Sequence, residues 1–384
     1  MNDKRSHVLL IYQALIPSVR LCGHLQMEYL AAQGRIDYRH RAEKALTNAD
    51  LSWADIVILG RLDGLMSTVV LRKLKEAGKK LLYILDDDLL NVPADLRSAA
   101  HYGATEIRKH IRLHLELCDG VISPSPILLE KYAGEGKMSI LIEEPSVEPI
   151  PYAPHDPQAP VKIGFAGSVD RKGDVERLLS PALHALKEEY GERVQLEFFG
   201  AIPDFAKDLG AKGIPYTDSY DDYRRVLNGL KWDVGLAPMP NTPFHACKHY
   251  NKFVEYAAAG IVGVYSDVQP YTRLKGRTEA AIFCPNETKA WLDALRRLVD
   301  NAQEREQLRR NVIDFVEKEM SVAASAEQML GQMPEAGTSK AVHSLAVRFT
   351  KVIWPLLRLM EVASIYKWRT PVVVVQKLLR KLKR

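Results

Sequence analysis

His245 to Asp267, HACKHYNKFVEYAAAGIVGVYSD, reads as a helix that runs straight into a strand. Lys248, Lys252 and Glu255 fall at i, i+4 and i+7 and so share one helical face, while Phe253, Val254, Ala257 and Ala258 take the other face, toward a core. Gly260 supplies the stop, and Ile261–Tyr265 is a short apolar run of strand type. Two ammonium groups near a helix start, where the dipole also favours anions, suit a diphosphate. A carboxylate two turns on can accept hydrogen bonds from a pair of vicinal hydroxyls, as on a ribose. The competing reading is a solvated face with Lys252 and Glu255 paired at i, i+3, a contribution of about 0.2–0.5 kcal/mol.

Outward from this stretch the chain alternates strand and helix signals. Upstream, Val161–Ala166, Val194–Phe199 and Asp233–Ala237 read as strands and Val175–Glu189 as a helix; downstream, 289–301 and 304–318 carry helical patterns. Ligands on open parallel sheets sit beyond the carboxyl ends of strands, which singles out two loops, 167–173 (GSVDRKG) and 238–248. The first has two glycines, two basic side chains and a helix start behind it, so backbone amides plus Lys172 can make an anion site. Its glycine spacing fits neither a dinucleotide fingerprint nor a P-loop, and an ordinary strand-to-helix turn is the plain alternative. The second, PMPNTPFH over Pro238–His245, is stiffened by three prolines.

Nearer the start, Val8–Tyr12, Ile56–Leu59, Leu81–Leu85 and Gly120–Ser123 read as strands, and Val19–Gln33, Met66–Ala77, Glu106–Leu117 and Pro126–Tyr132 as helices. Continuous apolar strands between helices argue for parallel sheets covered on both faces. Six prolines fall between Pro145 and Pro160, a stretch that can continue neither helix nor central strand. The expected organisation is a Rossmann-like domain over 1–144, a Pro-rich linker over 145–160, a second Rossmann-like domain over 161–333, and a basic amphipathic tail over 334–384.

The 384 residues suit two ordinary domains, with 47% hydrophobic and 26% charged residues. Four scattered cysteines form no Cys-x-x-Cys pair, which points to a reduced, cytosolic setting without disulfides. The charged opening residues and the short apolar run Val8–Ile11 give no signal-peptide pattern. The net charge of +5 hides an asymmetry: Lys340–Arg384 holds 11 Lys/Arg and one acid, Glu361, leaving the body mildly acidic. That tail interleaves Phe349, Trp354 and Trp368 with the basic residues, its longest apolar run being Val352–Leu357. It is too short to span a bilayer but suited to lying in an anionic membrane surface. A helix packed on a domain is the alternative; contact with nucleic acid is not expected.

The order Pro-rich loop, Lys-xxx-Lys-xx-Glu, Ala-Ala-Gly and apolar strand resembles the donor-site segment of the group 1 (family 4) glycosyltransferases of bacterial surface glycan biosynthesis. The resemblance covers 161–320 well and 8–144 loosely, where Ser18-Val19-Arg20 matches a short signature of some members. It implies the GT-B architecture, two Rossmann-like domains with parallel sheets facing a cleft that holds a nucleotide-sugar. By the same resemblance Lys248 or Lys252 is the phosphate-binding lysine, and Glu255 the second glutamate of a Glu-x7-Glu motif whose first position is here Cys247. Gly167 and Lys172 become donor contacts, Ser168 standing where the family usually has arginine, and the loop ending at His245 meets the donor sugar.

Asp86-Asp87-Asp88 follows the strand Leu81–Leu85 and invites a metal reading, but the lysine-rich second domain argues against one. Under the resemblance Asp86 contacts the transferred sugar, while one of the three caps the following turn. His110 and His114, at i, i+4, read as a solvated helix face, and His245, Cys247 and His249 are not expected to bind metal. The sequence thus points to glycosyl transfer from a nucleoside-diphosphate sugar to a lipid-linked or cell-surface glycan hydroxyl. Retention is implied by resemblance, and neither a metal nor another cofactor is expected. Asp86, Lys172 and Lys252 are the candidate catalytic residues, and the protein is expected at the inner face of the membrane. A nucleotide-sugar epimerase of the same architecture and a degenerate sugar-binding subunit are the alternatives.

Overall fold

A computed structural model describes residues 5–335, 337, 339–344 and 347. The chain divides into two compact units, one of residues up to Ile142 together with those from Ala326 on, the other Glu143–Ser325.

The first unit is built on a six-stranded parallel sheet: β1 (His7–Tyr12), β2 (Asp37–Ala42), β3 (Ile56–Gly60), β4 (Lys80–Ile84), β5 (Gly120–Ser123) and β6 (Met138–Leu141), in the order β2-β1-β3-β4-β5-β6. β1, β3 and β5 are runs of Val, Ile and Leu because helices cover both faces of the sheet. The edge strand β2, DYRHRA, has no apolar run and is only partly buried, so a hydrophobic pattern could not announce it. The strand order reverses between β1 and β3.

Histidines 110 and 114 overturn the solvated-face reading. Both are buried on the Thr105–Leu117 helix. His114 Nδ1 lies 2.9 Å from the Leu62 carbonyl, which can only accept, so this nitrogen carries the proton; Nε2 lies 2.8 Å from the Thr68 hydroxyl, which also meets His110 Nδ1 at 2.8 Å. Burial, with His110 beside it, holds the His114 imidazole down at about 4.

The second unit repeats the plan with β7 (Val161–Gly167), β8 (Val194–Gly200), β9 (Lys212–Ile214), β10 (Val234–Ala237), β11 (Val262–Ser266) and β12 (Ile282–Cys284), ordered β12-β11-β10-β7-β8-β9, all parallel. This is the doubly wound order, and its reversal falls between β7 and β10. A core of Val161, Ile163, Phe165, Leu179, Leu183, Leu196, Val234, Val264 and Trp291 fills one side of the sheet; Trp232, Tyr250, Phe253, Tyr256 and Val312 fill the other. Close approach demands glycine at two points. A Cβ on Gly164 would meet the Trp232 ring at 2.2 Å, and Gly200, at φ +82°, would place one 2.2 Å from the Gly167 carbonyl oxygen.

The expected helix at Lys248 begins later. A short turn, Pro243–Ala246, is capped by Thr242, and the longer helix spans Asn251–Ala258. Lys248 lies in the link between the two and does not share a helical face with Lys252 and Glu255. The sequence pattern could not register the break because Lys248, His249 and Tyr250 continue the helical spacing. Gly260, at φ +64°, ends the helix as expected.

The Pro-rich stretch packs along the second unit: Ser146 N donates to Met320 O at 2.7 Å, Ile150 N to Ala258 O at 2.8 Å, and His155 Nδ1 lies 2.8 Å from Asp233 Oδ1. The 161–333 range differs at its far end. Ala326 and Met329, on the Val322–Leu330 helix, join Val8, Leu10, Ile58 and Ile122 in the core of the first unit, since their apolar side chains bury there. The expected 340–384 membrane segment lies almost wholly outside the described residues. Among the described residues no helix is long and apolar enough to cross a membrane.

Candidate functional site

The reversal between β7 and β10 puts the 167–173 loop and the 238–248 loop beside each other at the carboxyl ends of adjacent strands. Arg171 joins them. Its guanidinium donates to Pro238 O at 2.6 Å and reaches Met239 Sδ at 3.5 Å and Asp174 at 3.4 Å. Asp174 in turn lies 3.9 Å from His245 Nε2, while His245 Nδ1 is held 2.8 Å from Thr242 Oγ1. The loop is fixed from its other side too. The Ser266 hydroxyl accepts from Met239 N at 2.7 Å, and the Asn286 amide donates to Met239 O at 2.8 Å. Both backbone groups of Met239 are thereby held by the ends of β11 and β12.

Gly167 is the last residue of β7, one position beyond the expected strand, and the exposed Ser168 opens the first loop. Lys172 opens the Lys172–Tyr190 helix but turns to Asp204, at 2.5 Å, and Glu176, at 3.8 Å. Arg171, not Lys172, is the cation directed at the 238–248 loop. The sequence signal for it was present, since Arg171 precedes Lys172 in the same loop, but nothing in the spacing ranks one above the other.

On the Asn251–Ala258 helix, Lys252 Nζ donates to Glu255 Oε2 at 2.5 Å and to the Tyr223 hydroxyl at 3.0 Å; Tyr223 itself donates to Glu255 Oε2 at 2.8 Å. The Lys252–Glu255 pair of the plain reading is thus formed, but with a buried phenol as third partner. Burial, with Glu255 alongside, raises the Tyr223 phenol well above its usual range, so it stays a neutral donor. Its ring stacks on Phe199 at 5.1 Å. Tyr223 and its helix, Tyr220–Leu230, were not read from the sequence. The signals were Ser219 three residues before Asp222, an N-cap the structure forms, and apolar or aromatic residues at 220, 223, 226, 227 and 230.

Lys248 lies with its ammonium 4.6 Å from the Phe244 ring centre. Cys247 is buried, its thiol donating to Pro243 O at 3.2 Å, so this side chain faces its own turn. The entry to the Asn251–Ala258 helix is fixed by Glu143, which accepts from the Tyr250 hydroxyl, from Arg277 at 2.9 Å, and pairs with His249 at 3.2 Å. Burial alone would raise the Glu143 carboxyl, but His249, Tyr250 and Arg277 outweigh it and hold it down at about 2.

In the first unit, side chains collect at the corresponding reversal between β1 and β3. Asp86, just past β4, accepts from Arg61 at 3.1 Å, and Arg61 also donates to Ser18 at 3.2 Å and to Tyr102 at 3.1 Å. Arg61 sits at φ +52°, a strained value for a side chain of its size. Beside it Asp63 accepts from Gln13 at 2.8 Å and pairs with His101 Nε2 at 2.5 Å. The structure therefore brings Asp86 and Ser18 together, and adds Arg61, Asp63 and His101, which lie in stretches without a motif. The Asp88 carboxylate accepts from the side chains of Asn91 at 2.9 Å, Lys131 at 2.6 Å and Tyr132, contacts that tie it to its neighbours rather than cap the following turn.

No protein-family model matches the sequence, and no curated protein matches it. Solved structures share the fold. HepE of Anabaena, in complex with UDP and glucose, is 12% identical with a TM-score of 0.55, over 84% of this chain and 98% of that one. An α-glucosyltransferase in complex with UDP-glucose and DNA containing an abasic site is 11% identical with a TM-score of 0.58, over 85% and 99%. A Listeria monocytogenes protein assigned as a UDP-N-acetylglucosamine 2-epimerase is 12% identical with a TM-score of 0.51, over 85% and 95%. At such identities the likeness shows the fold: the chain has the GT-B architecture, two units each with a parallel six-stranded sheet.

Proposed function

We propose that the chain is a glycosyltransferase that takes its sugar from a nucleoside-diphosphate sugar bound by the second unit. The observation that carries this reading is the strand order there: the loops expected to contact a donor leave β7 and β10, the two strands between which the order reverses. Ligands of doubly wound sheets bind at that point. In this reading Glu255, with Oε2 committed to Tyr223 and Lys252, offers Oε1 to the ribose hydroxyls. Lys252 and Lys248 face the diphosphate, and Gly167, Ser168 and His245 line the approach of the sugar. Departure of the diphosphate builds negative charge, which fixed cations stabilise more in the transition state than in the ground state. Arg171 and Lys172 are further cations on these loops; each must exchange its present carboxylate partner for the ligand.

UDP is the nucleotide to test first, because HepE and the α-glucosyltransferase are seen with UDP or UDP-glucose. A ligand at 100 times its Kd stabilises the fold by about 2.7 kcal/mol, so UDP should raise the melting temperature measurably. Failure of UDP and of the other nucleoside diphosphates to do so overturns the reading. The finer reading, a retaining enzyme of group 1 type acting on a lipid-linked or surface glycan without a catalytic metal, rests on the resemblance and the count of cations. Turnover that requires added magnesium or manganese would remove its metal-free part. The His101–Asp63 pair keeps one alternative, an epimerase, worth a direct assay: conversion of a UDP-sugar to its epimer with no acceptor present.

A further inference from the structure

On the face of the first sheet near its β2 edge, three side chains converge that the reading above leaves unused. His24 ends a π-helical turn, Arg20–His24, and Glu28 follows one turn later on the Leu25–Ala32 helix. His40 comes from β2, where it pairs in register with Leu10. One ligand atom from each of the three lies within 4.8 Å of the other two. Three atoms so placed surround a point no more than about 2.8 Å from each, so inward shifts on the order of 0.7 Å give the 2.0–2.1 Å distances of zinc to imidazole and carboxylate.

The surroundings prepare the same arrangement. His24 Nδ1 is 2.9 Å from the Tyr38 hydroxyl, and His40 Nδ1 is 2.9 Å from the Tyr12 hydroxyl. With each Nδ1 proton given to a phenol oxygen, each Nε2 keeps its lone pair for a cation, the outer-shell pattern by which ligating histidines are oriented. The described residues offer His40 Nε2 no hydrogen-bond partner, and His24 Nε2 faces Glu28 at 3.3 Å. Glu28 and Arg20 both act electrostatically on His24. Arg20 works against a cation here, and the Glu28 carboxylate offsets it. Glu28 is half exposed, which leaves a path for the ion and for water as a fourth ligand.

We propose that His24, Glu28 and His40 bind one divalent transition-metal ion of the zinc class, clamping the edge strand β2 to the helix beside it. The test uses the full chain, stripped with a chelator and kept reduced, titrated with Zn2+ by calorimetry and with Co2+ by visible absorption. One equivalent of zinc should bind and raise the melting temperature, and cobalt should show the d–d bands of a tetrahedral nitrogen and oxygen site. Glu28→Gln and His40→Asn should each abolish stoichiometric binding, while Tyr38→Phe should weaken it about 10–100-fold, as loss of an orienting partner does. Among the described residues Glu28 pairs with His24 alone, and Gln keeps its shape, so that variant should fold, as circular dichroism can verify. UDP binding should be unchanged in all three, which separates this site from the donor site. Absence of stoichiometric zinc binding, or binding equally tight in Glu28→Gln and His40→Asn, overturns the proposal.

Discussion

Glu255 has two duties on one carboxylate. Oε2 satisfies Tyr223, a phenol buried beneath the sheet end, while the proposed ribose contact falls to Oε1. Glu255→Ala removes both and leaves a buried hydroxyl without its acceptor, at a cost of about 1–3 kcal/mol. A melting-temperature drop in that variant is therefore expected and does not report on the nucleotide. Glu255→Gln keeps a side-chain oxygen for Tyr223 and removes the charge. It should stay within about 1 kcal/mol of the parent in urea unfolding yet bind UDP at least about tenfold more weakly, the loss of a charge-assisted hydrogen bond. Undiminished UDP affinity in both Glu255→Gln and Lys252→Ala would refute the donor site. How far the sequence revealed these residues depends on what fixed them. Lys252 and Glu255 were legible because helical spacing puts i and i+3 on one face, and the structure keeps them there. Lys248 was misplaced because a two-part turn interrupts the helix without breaking its pattern. Arg171 and Tyr223 owe their places to tertiary packing, which spacing does not encode.

At the scale of elements, central strands were legible because burial on both faces writes them in Val, Ile and Leu. The edge strands β2, β6, β9 and β12 were not, being short or polar. Two contacts between elements give measurable consequences. Gly200 ends β8 in a left-handed conformation with its Cα against the Gly167 carbonyl, and Ala201 N donates to that same carbonyl at 2.9 Å. Gly200→Ala must move that carbonyl or the strand end, so it should destabilise the second unit by roughly 1–3 kcal/mol and weaken UDP binding through the displaced 167–173 loop. In the first unit, the Leu65–Glu76 and Thr105–Leu117 helices meet through Thr68, His110 and His114. The His114 imidazole titrates at about 4 when folded against 6.5 when free. Its contribution is therefore fully present above about pH 6.5 and drains away as pH falls toward 4, by on the order of 3 kcal/mol in all. Urea midpoints measured across that window should fall with pH, and His114→Gln should flatten the slope; an unchanged slope would assign the acid sensitivity elsewhere.

For the whole molecule the open question is what the basic end of the chain does. The described part of it is not free. Lys340 N donates to Ala77 O at 3.0 Å, Val342 N to Ser52 Oγ at 3.0 Å and Ser344 N to Asn48 Oδ1 at 3.0 Å, while Lys79 Nζ donates to Ser339 Oγ at 2.9 Å. Val342 and Val347 are buried. A cut after Met333 would strip these contacts from the first unit, so truncation belongs after Val347. The residues beyond that point hold ten Lys/Arg, one glutamate, Phe349 and both tail tryptophans. Each basic residue near an anionic bilayer contributes about 1 kcal/mol, and aromatic rings favour its interface. The full chain should co-sediment with vesicles containing anionic lipid, poorly with neutral ones, and less as salt rises, because charges are screened over about 10 Å at 0.1 M. The chain ending at Val347 should lose vesicle binding while keeping its melting temperature and its response to UDP, whose proposed site lies wholly within 167–255. Retention of vesicle binding would move the membrane contact to the body of the protein. A truncated chain that melts markedly lower would mean that 348–384 packs on the fold, and the membrane role would then be withdrawn.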